Sequence, residues 1–193
     1  MQPERIRRLA HDERVAAHAG FWWGLAEGLF FFIVPDVYIS FATLFALRAG
    51  AVAWLFSIAG SLAAVPIIYL LIAAGVDYLG FLTTIPGISA ALVGEVGAAL
   101  GAAGLPYTPY LAAGGVPLKL YAASAFSLGL SLGAVMGWTV FARIVRIAPG
   151  FAVAAVIRML FGRAIDRHPD MWFGGLYAFW VAFYVFYFVR MSG

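Results

Sequence analysis

The chain has 193 residues, of which 64% are hydrophobic and only 11% are charged, and it contains no cysteine. Soluble domains carry about 25% charged residues, so this chain lacks the polar surface that would coat a water-soluble globule. The lack of cysteine excludes disulfides, thiolate metal sites and cysteine nucleophiles. Composition therefore predicts an integral membrane protein.

The formal net charge of +3 comes almost entirely from arginine, placed at the start of the chain and in one late cluster. This placement is typical of membrane topology, and no basic stripe with interleaved aromatics indicates a nucleic-acid partner. The three histidines are scattered and offer no metal-ligand spacing. We therefore expect neither nucleic-acid binding nor a metal or other cofactor.

The first 19 residues form a polar, basic N-terminal segment that we expect in the cytoplasm. It is either a short helix at the membrane surface or a solvated tail. Charges continue through Arg14, which is not the pattern of a cleavable signal.

An interrupted apolar stretch follows at residues 20–49. Its limbs, 20–34 and 37–47, flank Pro35-Asp36, and each is too short to cross about 30 Å of hydrocarbon. Proline removes a backbone donor and ends the helix before it. The pattern predicts a re-entrant hairpin, and the alternative is one kinked spanning helix.

Residues 51–74 have the length and apolarity of a spanning helix, kinked at Pro66. In residues 75–104 we expect a loop and then a short helix over 88–103. A second interrupted stretch at 105–123 contains Pro117 as a structural break, followed by Lys119, the only lysine in the chain. This stretch is the second hairpin candidate.

A helix over 125–142 is predicted next, with Gly129, Gly133 and Gly137 four residues apart on one face, where neighbouring helices can approach closely. Arg143 and Arg146 are expected to end it, and Pro149-Gly150 to break the chain after them. Residues 151–165 are then an interfacial helix, 167–170 a polar turn, and 171–189 a final span.

Arginine placement sets the expected topology. With the N-terminus in the cytoplasm, every arginine except Arg190 is cytoplasmic and the C-terminus lies outside. This scheme creates two hairpin-plus-helix units of opposite orientation, in which Val34-Pro35 and Val116-Pro117 correspond. The predicted fold is an all-α integral membrane protein with two opposed re-entrant helical hairpins, about three spanning helices and an inverted repeat.

Three charges in the apolar background are candidate substrate-binding or proton-coupling residues: Glu27, Asp36 and Lys119. A charge at bilayer depth costs about 2.5–3.5 kcal/mol on insertion scales, so it usually pairs or lines a wet cavity. If the hairpin tips meet, the carboxylates face the ammonium and could exchange protons. The alternative is that Asp36 and Lys119 cap broken helices.

Arg143 and Arg146 are three residues apart and therefore share a helix face. Guanidinium groups bind phosphate in a bidentate manner, so this pair is a candidate for holding a phosphate head group. The alternative is an ordinary cytoplasmic anchor.

Several short pieces together resemble a known family: Glu27, Pro35-Asp36, Gly60, residues 69–75, GVPLKLYAASA at 115–125, and Ala142-Arg143 with Arg146. In order and spacing they resemble the DedA superfamily, also called the SNARE-associated or VTT-domain family, and within it the YqaA-like branch. The resemblance covers residues 20–148. It implies two opposed re-entrant hairpins, movement of polyprenyl phosphate or phospholipid between leaflets, proton dependence in some members, and functional roles for Glu27, Asp36 and Lys119.

The expected organisation is an N-terminal segment at 1–19, a transport core at 20–148, and an interfacial plus a spanning helix at 149–193. The expected function is a lipid translocase, a flippase or scramblase, in the bacterial cytoplasmic membrane. A proton- or ion-coupled small-solute transporter is the alternative. A membrane-embedded lipid enzyme is disfavoured because no nucleophile, metal or nucleotide motif occurs. A structural assembly factor would leave Glu27 and Lys119 dispensable.

Overall fold

The computed structural model describes residues 12–106 and 116–191, with side chains as far as residue 189. Within these ranges there are eight α-helices and no β-strand; the helices are α1 Glu13–Leu29, α2 Asp36–Phe45, α3 Leu47–Ala73, α4 Tyr78–Leu82, α5 Ala90–Ala103, α6 Leu118–Ser127, α7 Leu132–Arg167 and α8 Pro169–Met191. Three of them, α3, α7 and α8, are long and apolar enough to cross a membrane. The all-helical class is thus confirmed, and the number of helices of spanning length agrees with the expected three spans. Residues 1–11 of the N-terminal segment and 107–115 of the second break lie outside the described ranges.

Helix α1 begins earlier than the expected first limb because Asp12 caps it. The Asp12 carboxylate accepts hydrogen bonds from the backbone N–H groups of Arg14 at 2.9 Å and Val15 at 3.2 Å. A side-chain oxygen at this position satisfies N–H groups that have no partner within the helix. The expected boundary at residue 19 therefore falls inside α1.

Glycines hold α1 directly against the backbone of α3. A Cβ on Gly20 would collide with the carbonyl oxygen of Ala53, and a Cβ on Gly24 with that of Ser57. On the facing helix, a Cβ on Gly60 would collide with the carbonyl oxygen of Phe21. The contacts of Gly20 with Ala53, Gly24 with Ser57 and Gly28 with Ala64 advance in the same direction along both helices. Helices α1 and α3 therefore run parallel, with small residues permitting the close approach.

The chain between these parallel helices turns back on itself. Glu13, at the start of α1, lies 3.5 Å from Arg48, at the start of α3. Because α1 and α3 begin at the same end, α2 must return the chain to that end after the break at residues 30–35. The helix–break–helix predicted around Pro35 is present, with limbs Glu13–Leu29 and Asp36–Phe45.

The region after α3 follows the expectation in part. Helix α3 is continuous through Pro66, and the short helix expected over 88–103 is α5. The helix expected over 125–142 is wrong, because α6 ends at Ser127 and α7 begins only at Leu132. Between them Gly129 adopts a φ of +79°, and the Ser131 side chain caps α7 by accepting from the Ala134 N–H. A positive φ ends a helix, and glycine adopts it without strain.

The expected glycine contact face on α7 is also wrong. A Cβ added to Gly133 or Gly137 would meet no atom within 4 Å among the described residues. The four-residue glycine spacing that brings helices together belongs instead to α1.

Pro149 does not end a helix, so the separate interfacial helix over 151–165 is wrong. Helix α7 runs for 36 residues through Pro149, to Arg167. Proline costs about 3 kcal/mol in a helix interior. Packing offsets this cost, because Ile147 and Ala154 are buried on either side of Pro149, on the face that meets α2. The polar turn at His168 and the final span, α8, are found as predicted.

Candidate functional site

The C-terminal end of α1 lies where α6 and α7 bring three cations to two carboxylates. Glu27 is 5% exposed, Lys119 1% and Arg143 0%. Asp36 and Arg146 complete the group as a half-buried pair. All five sequence-predicted charged residues therefore occur in one cluster, which carries one net positive charge when all are ionised.

Lys119 closes the end of α1. Its ammonium donates to the backbone carbonyl oxygen of Glu27 at 2.7 Å and to that of Phe31 at 2.9 Å. The Tyr78 hydroxyl donates to the Leu29 carbonyl oxygen at 2.5 Å. The last carbonyls of a helix lack partners within it and carry partial negative charge, so a cation there is favourable. Lys119 caps a broken helix and is a buried charge at the same time.

Glu27 is held between two cations. Its Oε2 accepts from the Arg143 guanidinium in a buried ion pair, and its Oε1 lies 4.0 Å from Lys119 Nζ. Breaking such a pair by removing one member costs about 3–5 kcal/mol, because the other charge stays buried.

Arg143 has donors that this pair does not use. Its Nε and Nη1 are buried and find no hydrogen-bond partner within the described ranges. Thr139 Oγ1, one turn earlier on α7, and Ser124 Oγ on α6 are in the same condition. Buried polar groups normally have partners, so these donors are unused hydrogen-bonding capacity at a charged site.

Asp36 pairs with Arg146 and not with Lys119 as the sequence suggested. Arg146 Nη1 lies 2.5 Å from Asp36 Oδ2, and their side chains are 20% and 14% exposed. The pairing follows from the position of α7, which carries both arginines past α1 and α2. Arg143 is fully buried, which does not fit the alternative of an ordinary cytoplasmic anchor.

A polar pocket of about 100 Å³ opens on this cluster. Glu27, Lys119 and Arg146 line it together, beside Pro117. The two sequence-predicted breaks thus border one pocket, because Pro35 starts α2 and Pro117 starts α6. Val34 and Pro117 both contribute to its wall.

An apolar groove of about 700 Å³ lies between α2, α7 and α8. Its walls include Leu44, Val153, Ile157 and Leu176, and Asp36 forms part of its surface. Because Asp36 borders the groove while its partner Arg146 borders the polar pocket, their ion pair stands between the two cavities.

Sequence reasoning missed the aromatic side chains that α8 contributes. Tyr184 and Tyr187 line the polar pocket, and Trp180 lines the apolar groove. The available signal was the spacing of these polar-tipped aromatics, which at 180, 184 and 187 places them on one helix face. Buried tyrosine and tryptophan usually find a hydrogen-bond partner, so a helix face that carries them is expected to pack against other parts of the protein.

The fold and the site define a class: a helical membrane protein with three helices of spanning length and charged side chains paired in its interior. Comparison with protein-family models, with curated proteins and with solved structures returns no match.

Proposed function

We propose that this protein is a membrane lipid translocase, a flippase or scramblase, that moves lipids with a phosphate head group between leaflets. The observation that carries the proposal is that a pocket with charged walls and an apolar groove lie on the two sides of the Asp36–Arg146 pair. A lipid is the class of molecule that needs both environments side by side. Its head group occupies the polar pocket and its chain the groove.

The charge of the cluster favours an anionic head group. Two carboxylates face three cations, and Arg143 keeps buried N–H donors without a partner among the described residues. Arginine binds phosphate through several parallel hydrogen bonds. In this proposal Arg143 and Arg146 are the phosphate ligands, and Glu27, Asp36 and Lys119 exchange partners as the head group enters. Polyprenyl phosphate and phospholipids are the substrates that the DedA resemblance implies.

The proposed architecture is the inverted repeat of re-entrant hairpins that the resemblance implies. Its support is positional. Pro35 and Pro117 each precede a ten-residue helix that leads into a long one, and these long helices contain Pro66 and Pro149. The distance along the chain from Pro35 to Pro66 is nearly the same as that from Pro117 to Pro149. Helix α1 is about 25 Å long, which is shorter than the hydrocarbon core. The proposed setting is the bacterial cytoplasmic membrane, with the N-terminus in the cytoplasm.

A proton- or ion-coupled small-solute transporter is the second candidate. The polar pocket favours it, because about 100 Å³ holds only a few non-hydrogen atoms. Ligand pockets for larger molecules occupy about 300–1,000 Å³, a range that the apolar groove reaches and the polar pocket does not.

Reconstitution in liposomes separates the two candidates. Labelled polyprenyl phosphate and labelled phospholipid are compared side by side in vesicles with the protein and in empty vesicles. We expect faster movement between leaflets for at least one of these lipids. Movement equal to that in empty vesicles for both, with uptake of a small solute, would favour the second candidate.

A matched pair of variants tests the site itself. Arg146→Gln removes the cation that stands between the two cavities, whereas Arg163→Gln changes an exposed arginine on the same helix. We expect lipid movement to fall at least tenfold in Arg146→Gln and to stay within twofold in Arg163→Gln. Equal activity of the two variants would remove Arg146 from the proposed site.

A further inference from the structure

Helix α8 is attached to the rest of the protein unevenly along its length. Near its start, Trp172 and Phe173, and after two glycines Leu176, pack against an apolar cluster that contains Leu44, Phe45 and Ile165. Beyond that point the contacts are few, and no described α8 side chain is fully buried. We call residues 169–173 the anchored segment.

The anchored segment ends at a pair of glycines. Gly174 and Gly175 are adjacent, and a Cβ on either would meet no described atom within 4 Å. Glycine in a helix interior costs about 1 kcal/mol relative to alanine, and glycine positions are common sites of helix bending. Close packing among the described residues does not explain the absence of side chains here, so the pair is a candidate site for bending.

The remainder of α8, residues 176–189, has apolar contacts near its two ends, at Leu176 and between the Phe188 and Phe32 rings. Between them it is held by two polar side chains. Trp180 Nε1 donates to Ser40 Oγ at 3.0 Å, and the Tyr184 hydroxyl accepts from the Val34 N–H at 2.8 Å. These contacts reach α2 and the break that precedes it. We call this pair of hydrogen bonds the latch.

Cavities flank the latch on both sides. The apolar groove of about 700 Å³ lies along one side of α8. A second apolar cavity of about 580 Å³ lies between α8 and residues 32–37 on the other. The α8 side chains that line the polar pocket are Phe183, Tyr184 and Tyr187. A helix held at its tips with space on both flanks can move without disrupting a packed core.

We propose that residues 176–189 of α8 are a gate that bends at Gly174-Gly175, closes the polar pocket while the latch is formed, and opens the pocket towards the apolar groove when the latch breaks. The proposal deepens the proposed function, on which it rests for what passes through the gate. The opening itself can be measured without any transport assay.

The first experiment measures access to the pocket. The chain has no cysteine, so Ile88→Cys, in the pocket wall, introduces a single thiol. Its reaction rate with a water-soluble thiol reagent is compared in the native background, in Trp180→Phe/Tyr184→Phe, and in Tyr177→Phe, which changes an exposed α8 tyrosine. We expect the rate to rise at least fivefold without the latch and to stay within twofold in Tyr177→Phe. An unchanged rate, or an equal rise in both, would overturn the proposal.

The second experiment keeps the proposal testable should the latch variant fold poorly. Ser40→Cys/Trp180→Cys places two thiols across the gate and α2, and Phe41→Cys/Phe173→Cys places two across the anchored segment and the same helix, at positions whose native side chains touch. Each pair is joined by a short bis-methanethiosulfonate cross-linker, because side chains that touch at their tips stand too far apart at Cβ for a direct disulfide. Cross-linking of the first pair should lower lipid movement at least tenfold, reversibly on reduction, and cross-linking of the second should change it less than twofold. Equal effects of the two cross-links would refute the gate. If neither reduced protein moves lipid, the proposed function fails, and the access rates alone decide the gate.

Discussion

The ammonium of Lys119 binds two parts of Glu27 at once. It donates to the Glu27 backbone carbonyl oxygen at 2.7 Å and lies 4.0 Å from the carboxylate oxygen Oε1. One side chain from α6 thus both ends helix α1 and neutralises its buried charge.

Replacing Lys119 with methionine should lower the free energy of unfolding by about 3–5 kcal/mol, because two helix-end carbonyls lose their donor and Glu27 loses one of its two cations. Denaturant titration in detergent micelles measures the change. The exposed control Arg163→Met should shift stability by less than about 0.5 kcal/mol. Similar losses in the two variants would mean that Lys119 contributes no more than a surface charge.

The structure assigns Arg143, rather than Lys119 alone, as a partner of Glu27. Glu27→Gln and Arg143→Met should each be strongly destabilising, while the double variant should lose at least about 1 kcal/mol less than the two single losses together. The pair Glu27→Gln with Arg163→Met is the control and should be additive within about 0.5 kcal/mol. A double-mutant cycle with no coupling between Glu27 and Arg143 would contradict the buried ion pair.

Asp36 and Arg146 should couple in the same way, and Asp36 and Lys119 should couple less. Asp36→Asn and Arg146→Gln each leave one charge half-buried without its observed partner. We expect the coupling energy of Asp36 with Arg146 to exceed that of Asp36 with Lys119 by about 0.5 kcal/mol or more. Both cycles can be measured by thermal unfolding in one detergent. A larger coupling energy for Asp36 with Lys119 than for Asp36 with Arg146 would support the Asp36–Lys119 pairing that the sequence suggested.

Glycines that share one spacing should respond in opposite ways. Gly24→Ala places a methyl group against the Ser57 carbonyl and should cost about 1–3 kcal/mol through overpacking. Gly133→Ala points into open space and should stabilise α7 by about 0.4–1 kcal/mol. The comparison needs only melting curves of the two variants. Loss of stability in Gly133→Ala would show that its face is covered.

The return of the chain at α2 predicts a specific labelling pattern. Cysteines at positions 14 and 48 should react with a membrane-impermeant thiol reagent from the same side, because the starts of α1 and α3 lie at one end of the structure. A cysteine at position 76, just past the end of α3, should react from the opposite side. Labelling of positions 14 and 48 from different sides would exclude a re-entrant first hairpin.

The charged residues of the site could be found from sequence, but their pairing could not. Glu27, Asp36 and Lys119 are conspicuous because charges are rare in apolar stretches, and prolines mark the breaks beside two of them. The partner of Asp36 depends on where α7 lies against α2, because that contact brings Arg146 to Asp36. Spacing along the chain does not give the relative position of two helices.

The glycine pattern shows the same limit in another form. Gly20, Gly24 and Gly28 have the same four-residue spacing as Gly129, Gly133 and Gly137. Spacing identifies a face on which close approach is possible, but the facing backbone decides whether it occurs. In α1 that backbone is α3, whereas Gly129 has left the helix and the α7 face meets no described atom.

The closure of α1 by a distant lysine also constrains how the protein is made. Lys119 and Arg143 follow Glu27 by 92 and 116 residues. At a synthesis rate of about 5–20 residues per second, the nascent first half waits roughly 5–20 s before either cation emerges. During that interval the acidic helix end has no counter-ion from the second half. The inserted first half therefore lacks these stabilising cations until α6 and α7 have been synthesised. Neither half is expected to assemble stably when expressed alone.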